Sequence, residues 1–187
     1  MRRLLSPTDL KEGVRAFDQR VDSLFDEARG NAMVDRLMYG ASELGDFSLI
    51  WHLVGLARGL TSDERADEAI RLSVILAGES LLVNGVIKSF FRRRRPVWDQ
   101  PRAFRIRRPR SSSFPSGHAS AAFTAATVLS EGDPLWPLYY AAATVVAASR
   151  TYVKIHHASD VVAGMATGLL IGRVARKAWP KPGMPRP

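Results

Sequence analysis

Apolar residues fall along this chain in two rhythms. Up to about residue 40 they alternate with charges at helical spacing. Val14, Phe17, Val21, Leu24 and Phe25 recur at three and four, with Asp18, Arg20, Asp22 and Asp26 between them. This is the pattern of an amphipathic helix and not of a span. It suits equally a helix packed on its own domain and one lying at a membrane surface. Five longer apolar segments follow, at roughly 44–60, 70–90, 117–131, 135–150 and 159–175. A bilayer-crossing helix typically needs ~20 apolar residues. Several of these segments are shorter, so hydropathy alone leaves a soluble helical bundle open.

Small and aromatic residues favour the membrane. The last segment carries Gly164, Gly168 and Gly172, a glycine at every fourth position. Such a stripe lets a neighbouring backbone approach closely, as in membrane helix pairs. In a water-soluble helix each glycine would cost ~1 kcal/mol with no such return. Ala121, Ala122, Ala125, Ala126 and Ala141 to Ala143 enrich the third and fourth segments in small residues. Trp136, Tyr139, Tyr140 and Trp179 fit interfacial anchors. The expected fold is all-α: an integral membrane helical bundle. It would have an N-terminal amphipathic segment over 1–43, about five transmembrane helices over 44–175 and a basic, proline-rich tail over 176–187.

Composition narrows the partners. A chain of 187 residues suits one domain, and without cysteine it has no disulfide or thiolate metal site. The net charge of +9 asks for an anionic partner. The mean hydropathy of -0.09 is high for a soluble protein of that charge, because the charges crowd into loops. On composition alone that partner is nucleic acid, a phosphorylated substrate or an acidic membrane. The densely charged first 40 residues lack the order of a signal peptide. The connector 91–116 holds nine arginines, with Pro96, Pro101, Pro109 and the run Ser111 to Ser113. It reads either as a disordered basic linker or as an electropositive entrance that gathers anionic headgroups.

Three short stretches carry the chemistry. Lys88 is followed after six residues by Arg95-Pro96; then comes Pro115-Ser116-Gly117-His118; then Ser149-Arg150, five residues, His156, three residues and Asp160. Together they supply three cations, two histidines and a carboxylate, a complete set for moving a phosphoryl group without a metal. In this order and spacing they resemble the type 2 phosphatidic acid phosphatase family, which also includes bacterial acid phosphatases and vanadium haloperoxidases. Every motif position is met without a substitution.

The residue types fit that chemistry. Lys88, Arg95 and Arg150 would neutralise the phosphate, an arginine gripping two oxygens at once. Pro96 is expected to end the helix that carries Lys88. Ser116 and Gly117 stand where the third segment begins, so that helix-terminal amides would point at the anion. His156 and Asp160 are four residues apart and would share one face if the last helix begins near them. The carboxylate would then orient the ring for nucleophilic attack, with His118 as general acid. The resemblance implies a phosphohistidine on His156, no metal and no cofactor, with a membrane phospholipid or prenyl phosphate as substrate, the lipid bilayer as partner and no nucleic acid.

Other polar residues are ambiguous. His157 is off by one from both Arg150 and Asp160. His52 matches no motif and reads as a packing or interfacial histidine. Glu79 and Asn84 lie inside the second segment, where polar groups are functional candidates by default. An interhelical hydrogen bond would explain either, and Asn84 would also suit orienting Lys88.

The function expected is a metal-independent lipid phosphate phosphatase. It would act on a phosphomonoester or diphosphate of a polyprenyl or phosphatidate-like lipid. The alternatives are a vanadium-dependent haloperoxidase and a non-enzymatic protein that binds acidic lipid. Sidedness is contested. Five spans put 17 Lys and Arg on the active-site side against 5 on the other, which places that face in the cytoplasm by the positive-inside rule. The resemblance implies the outer face of the cell's inner membrane.

Overall fold

The computed structural model describes residues 6–98 and 103–181. Arg2, Arg3, Pro101, Arg102 and Arg186 lie outside the described residues. Every regular element described is helical. The amphipathic N-terminal segment forms two helices, not one. In α1 (Pro7–Asp26), Ser6 and Asp9 cap each other reciprocally, Asp9 N–H to Ser6 Oγ at 3.1 Å and Ser6 N–H to Asp9 Oδ2 at 2.9 Å. The chain then turns through Gly30 (φ +89°), and Asn31 caps α2 (Ala32–Leu44).

Helix α1 packs on the bundle along one face and leaves another exposed. Phe25 packs edge-on against Tyr152, with ring centroids 5.8 Å apart, and Asp18 is buried. Leu10, Val14, Phe17 and Leu24 stay exposed on the other side.

The five apolar segments appear as α3 (Leu49–Gly59), α4 (Asp63–Ser80), α5 (Gly117–Leu129), α6 (Trp136–Tyr152) and α7 (Ala158–Ala178). Beyond Ser80, α4 widens into a π-helical turn, Leu81–Val86, and narrows into a 3-10 turn, Ile87–Phe90. Among the described residues, two helices are long and apolar enough to cross a membrane: Asp63–Phe90 and Ala158–Ala178. The expectation of about five such helices is therefore not confirmed by length: α3, α5 and α6 have 11, 13 and 17 residues.

Helix α5 is the axis of the bundle. All its residues except His118 are buried, and α4, α6 and α7 pack around it. Small residues make this possible. A Cβ at Gly164 or Gly168 would overlap the carbonyl oxygens of Ser116 and Ser120, and one at Gly172 would lie 2.6 Å from Thr127 Cβ. The glycine stripe is thus where α7 lies directly on the α5 backbone. Apolar side chains such as Leu56, Ile70, Leu81, Leu138, Leu170 and Val174 remain exposed on the outside. One end of the bundle is tied by ion pairs, among them Arg71 to Glu131 at 2.7 Å and Lys181 to Glu68 at 2.9 Å. The other end gathers the C-terminal end of α4 and the N-termini of α5 and α7.

Candidate active site

Local structure at that second end brings the three motifs together. The helix carrying Lys88 ends at Phe90, and the chain is extended from Phe91. Arg95 therefore sits on an extended segment, and Pro96 is not what stops the helix. The extended segment pairs with the end of the connector: Ser113 N–H donates to Arg93 O at 3.0 Å, and Arg93 N–H to Ser112 Oγ at 3.3 Å. Alternate side chains of an extended segment share a side, so Arg93 and Arg95 both reach inward. The described parts of the connector thus cross the site, as the entrance reading requires.

Lys88, Arg95, Gly117, His118 and His156 line one cavity of about 460 Å³. Ser116, Arg150 and Asp160 are buried beside it. Ser116 is the N-cap of α5, and its own N–H donates to Asp160 O at 2.9 Å, which locks the second motif onto the third. The first amides of α5 have no intrahelical partner and carry the positive end of the helix dipole.

The cations are poised for an anion. Arg150 donates through Nη1 to the backbone oxygen and the hydroxyl of Ser42, while its buried Nε and Nη2 have no partner among the described residues. Arg95 Nη1 donates to Ile155 O and to His156 Nε2, each at 3.1 Å, and its Nε is unpaired. Lys88 is buried without a hydrogen bond or ion pair among the described residues. Buried charges left this way are costly, and an anion held among them would satisfy all three. No three His, Asp or Glu side chains group to hold a metal among the described residues.

The two histidines are held differently. His156 lies just before α7 and not on it, since that helix begins at Ala158. Because Arg95 donates to Nε2, that nitrogen carries the lone pair, and Nδ1 carries the proton. Nδ1 faces Asp160 Oδ2 at 3.7 Å, beyond hydrogen-bond range. Burial, with Arg150 and Arg95 nearby, pushes the imidazole's pKa down to about 3 against the opposing pull of Asp160, so the ring is neutral at neutral pH. His157 is turned away, with Nε2 3.3 Å from Arg94 O.

His118 Nε2 is 2.7 Å from Asp46 Oδ1, which leaves Nδ1 for other work. Burial opposes ionisation of Asp46, but the His118 bond, Arg150 and Arg107 outweigh it and hold this carboxyl below its usual range. The turn that carries Asp46 is tightly fitted. A Cβ at Gly45 would lie 2.8 Å from His118 Cδ2, and Phe47 and Ser48 adopt left-handed φ values of 53° and 59°.

Four residues escaped the motif reading. Asp46 stands 72 positions from its partner, with nothing in the local pattern to mark it. Arg93 donates to Asp160 Oδ1 at 2.7 Å and to Asp18 Oδ2 at 2.6 Å. Asp18 also accepts from Ser159 N–H at 2.8 Å, which satisfies an amide at the start of α7. His52, read as a packing residue, lines the cavity and bonds Ser73 Oγ through Nδ1 at 3.1 Å. Asn84 does not orient Lys88; its amide donates to Ser80 Oγ at 3.2 Å, and its oxygen lies against Gly117.

Comparison with known proteins gives a consistent picture. The family model described as the PAP2 superfamily matches residues 68–183. A decaprenylphosphoryl-5-phosphoribose phosphatase from Mycobacterium tuberculosis is 30% identical over 154 residues, covering 77% of this chain and 82% of the relative. Among solved structures, a transmembrane PAP2 type phosphatidylglycerolphosphate phosphatase from Bacillus subtilis superposes with a TM-score of 0.67 at 23% identity, over 88% of this chain and 85% of that one. LpxE from Aquifex aeolicus superposes with a TM-score of 0.50 at 28% identity, over 79% and 94%.

Proposed function

This chain belongs to the PAP2 superfamily and is a phosphatase, and we propose that it hydrolyses a phosphomonoester or diphosphate of a membrane lipid through a phosphohistidine on His156. The observation that carries this reading is the lone-pair-bearing Nε2 of a neutral His156, which faces Arg95 and lines one cavity with Lys88, Arg95 and Gly117. In the proposed reaction the phosphoryl oxygens displace Arg95 from Nε2. Lys88, Arg95, Arg150 and the first amides of α5 hold those oxygens. Preorganised donors of this kind are typically worth ~3 kcal/mol each in the transition state.

The bound phosphate monoanion first passes its proton to His118 Nδ1, because the other ring nitrogen is engaged with Asp46; His156 Nε2 then attacks phosphorus as the bond to the leaving oxygen breaks, and His118 Nδ1 returns that proton to the leaving oxygen. A water then loses a proton to the same nitrogen and attacks phosphorus as the phosphorus–nitrogen bond breaks and its electron pair returns to His156 Nε2, which releases phosphate. Asp160 steadies the Nδ1 proton of His156, the 3.7 Å gap closing on substrate as such bonds do. None of these steps calls on a metal. Purified protein should release phosphate from lipid phosphates in the presence of chelator and should be inhibited by vanadate. Loss of activity on chelation, restored by Mg²⁺, would contradict the reading.

For the membrane arrangement we infer that α3 to α7 all cross, with the site on the outer face of the inner membrane and the C-terminal tail in the cytoplasm. Helix α5 is short, but its neighbours enclose it, so it shows no backbone to lipid. The exposed apolar side chains of α3, α4, α6 and α7 form the lipid-facing surface. Arg176 and Lys177 in the last turn of α7 supply a cytoplasmic anchor. Single cysteines at Ser112 and Pro185 test this in a chain that has no other cysteine. An impermeant maleimide added to intact cells should label position 112 and spare 185.

A further inference from the structure

Helix α1 grips the chain on both sides of His156. Asp18 accepts from the N–H and the hydroxyl of Ser159 at 2.8 and 3.0 Å, and from Arg93, which also holds Asp160. Asp22 pairs with Lys154 at 3.1 Å. Phe25 lies against Tyr152, and Arg29, just past the helix, donates to the carbonyl oxygens of Thr151 and Tyr152 at 3.1 and 2.8 Å. Asp18, Asp22, Phe25 and Arg29 are spaced four, three and four, which is the spacing of one face. The segment they hold, 151–159, has His156 inside it. The position of that imidazole therefore follows the position of α1.

A second face of α1 lies about a quarter-turn round the helix from the first. It is the apolar stripe Leu10, Val14, Phe17, Val21 and Leu24, of which all but Val21 are exposed. The stripe is continuous with a surface that faces lipid. Asp18 joins α1 to Ser159 at the start of α7, and one turn further Val162 opens the exposed row Val162, Ala166, Leu170 and Val174. Helix α7 is long and apolar enough to cross a membrane, so this outer row meets acyl chains and the stripe on α1 extends it at the level of the site. Three-and-four spacing would also suit pairing with a second copy, but that continuity favours the bilayer. Charge decides what kind of contact it is. Asp18, Asp22 and Asp26 are paired with Arg93, Arg29 and Lys154. The other charges of residues 7–27 balance, Lys11, Arg15 and Arg20 against Asp9, Glu12 and Glu27. Apolar contact, and not attraction to anionic lipid, would hold this helix down.

We propose that α1 is seated on the bilayer by this stripe, at the boundary of headgroups and acyl chains, and is the platform that fixes His156 and Asp160 for reaction at that surface. Asp18, Asp22 and Arg29 are positioning residues. They act on the nucleophile only through Ser159, Arg93, Lys154 and the Thr151-Tyr152 backbone. This rests on the phosphatase reading above and adds to it a dependence of turnover on the membrane surface.

The test uses the full-length protein in vesicles of phosphatidylcholine, which carries no net charge. Because the chain has no cysteine, single cysteines bearing a nitroxide can be placed at Leu10, Val14 and Phe17 and, on the opposite face, at Glu12, Gln19 and Ser23. Dissolved oxygen, which enters lipid, should relax the first three labels more than a water-soluble nickel chelate does. The order should reverse for the other three. In the same vesicles Leu10→Asp, outside the grip, should lower kcat about tenfold, a size usual for coupling between sites, with KM little changed. Gln19→Asp adds the same charge on the opposite face and should leave kcat as it was. Nickel dominant at all six positions would put α1 in water. Labels on the stripe sheltered from both reagents, with spin–spin broadening, would put a second copy there. Either result overturns the proposal. Equal kcat in the two aspartate variants overturns the platform even where the labels report lipid. The labels need no turnover, so the expected label pattern without phosphate release from the unmodified protein overturns the phosphatase reading and leaves the seat of α1 standing.

Discussion

Arg93 donates to Asp160 at 2.7 Å, and with its other terminal nitrogen it holds Asp18 of α1 at 2.6 Å. Asp160 is the group that faces His156 Nδ1. An N-terminal helix with an exposed apolar face is therefore wired, through one guanidinium, to the carboxylate proposed to orient His156. Charge-assisted hydrogen bonds are worth ~1.5–3 kcal/mol. Arg93→Met should therefore lower kcat about 10- to 100-fold with a smaller effect on KM. Steady-state kinetics on a lipid phosphate checks this, and a change confined to KM would make Arg93 a binding residue.

Asp46→Asn keeps a hydrogen-bonding group beside His118 but removes the charge. If His118 is the acid, its loss of support should be felt most where the leaving oxygen needs a proton most. The variant should slow hydrolysis of alkyl phosphates about tenfold or more and slow p-nitrophenyl phosphate far less. Equal slowing of both would reduce Asp46 to a structural part of the turn.

Arg95 is one of the two arginines that keep His156 neutral, and burial is the larger cause. A lowered pKa means the nucleophile is unprotonated at neutral pH and is lost only as pH falls through that low value. Removing a nearby cation eases protonation, so Arg95→Met should move the acid limb of the kcat/KM profile to higher pH, besides weakening phosphate binding. A limb that stays in place would mean that the arginine does not act on the ring.

The contact of α7 with α5 predicts stability effects. Gly168→Ala places a methyl into the Ser120 carbonyl; overpacking of this kind typically costs about 1–3 kcal/mol. Gly78→Ala, where a Cβ meets nothing within 4 Å, is the control and should be neutral or slightly stabilising. Thermal unfolding in detergent distinguishes them.

These same residues show what was legible in the sequence. The Gly164, Gly168, Gly172 stripe and the three motifs have fixed local spacing, and local spacing is what a helix or a turn converts into a shared face. The motif positions accordingly meet around one cavity. Asp46, Asp18 and His52 act across helices, on partners 72, 75 and 21 positions away, and no periodicity records such a pairing. Arg93 was hidden for a different reason. In a run of four arginines, which ones face inward depends on whether the segment is helical or extended, and its pairing with Ser112 and Ser113 decides that. The break of the N-terminal segment at Gly30 and Asn31 had a local signal, a glycine followed by a good cap. Helix length in the bundle was legible as well: the apolar segments 117–131 and 135–150 already fall short of ~20 residues, and α5 and α6 have 13 and 17.

The central claim is that phosphorus becomes bonded to His156. Brief reaction with ³²P-labelled lipid phosphate, followed by denaturing quench, should leave label on the unmodified protein. That label should be stable to base and lost in acid, and peptide mapping should place it on His156. His156→Ala should carry none while remaining folded. An acid-labile phosphoenzyme that persists in His156→Ala, with the label on His157 or elsewhere, would contradict the account.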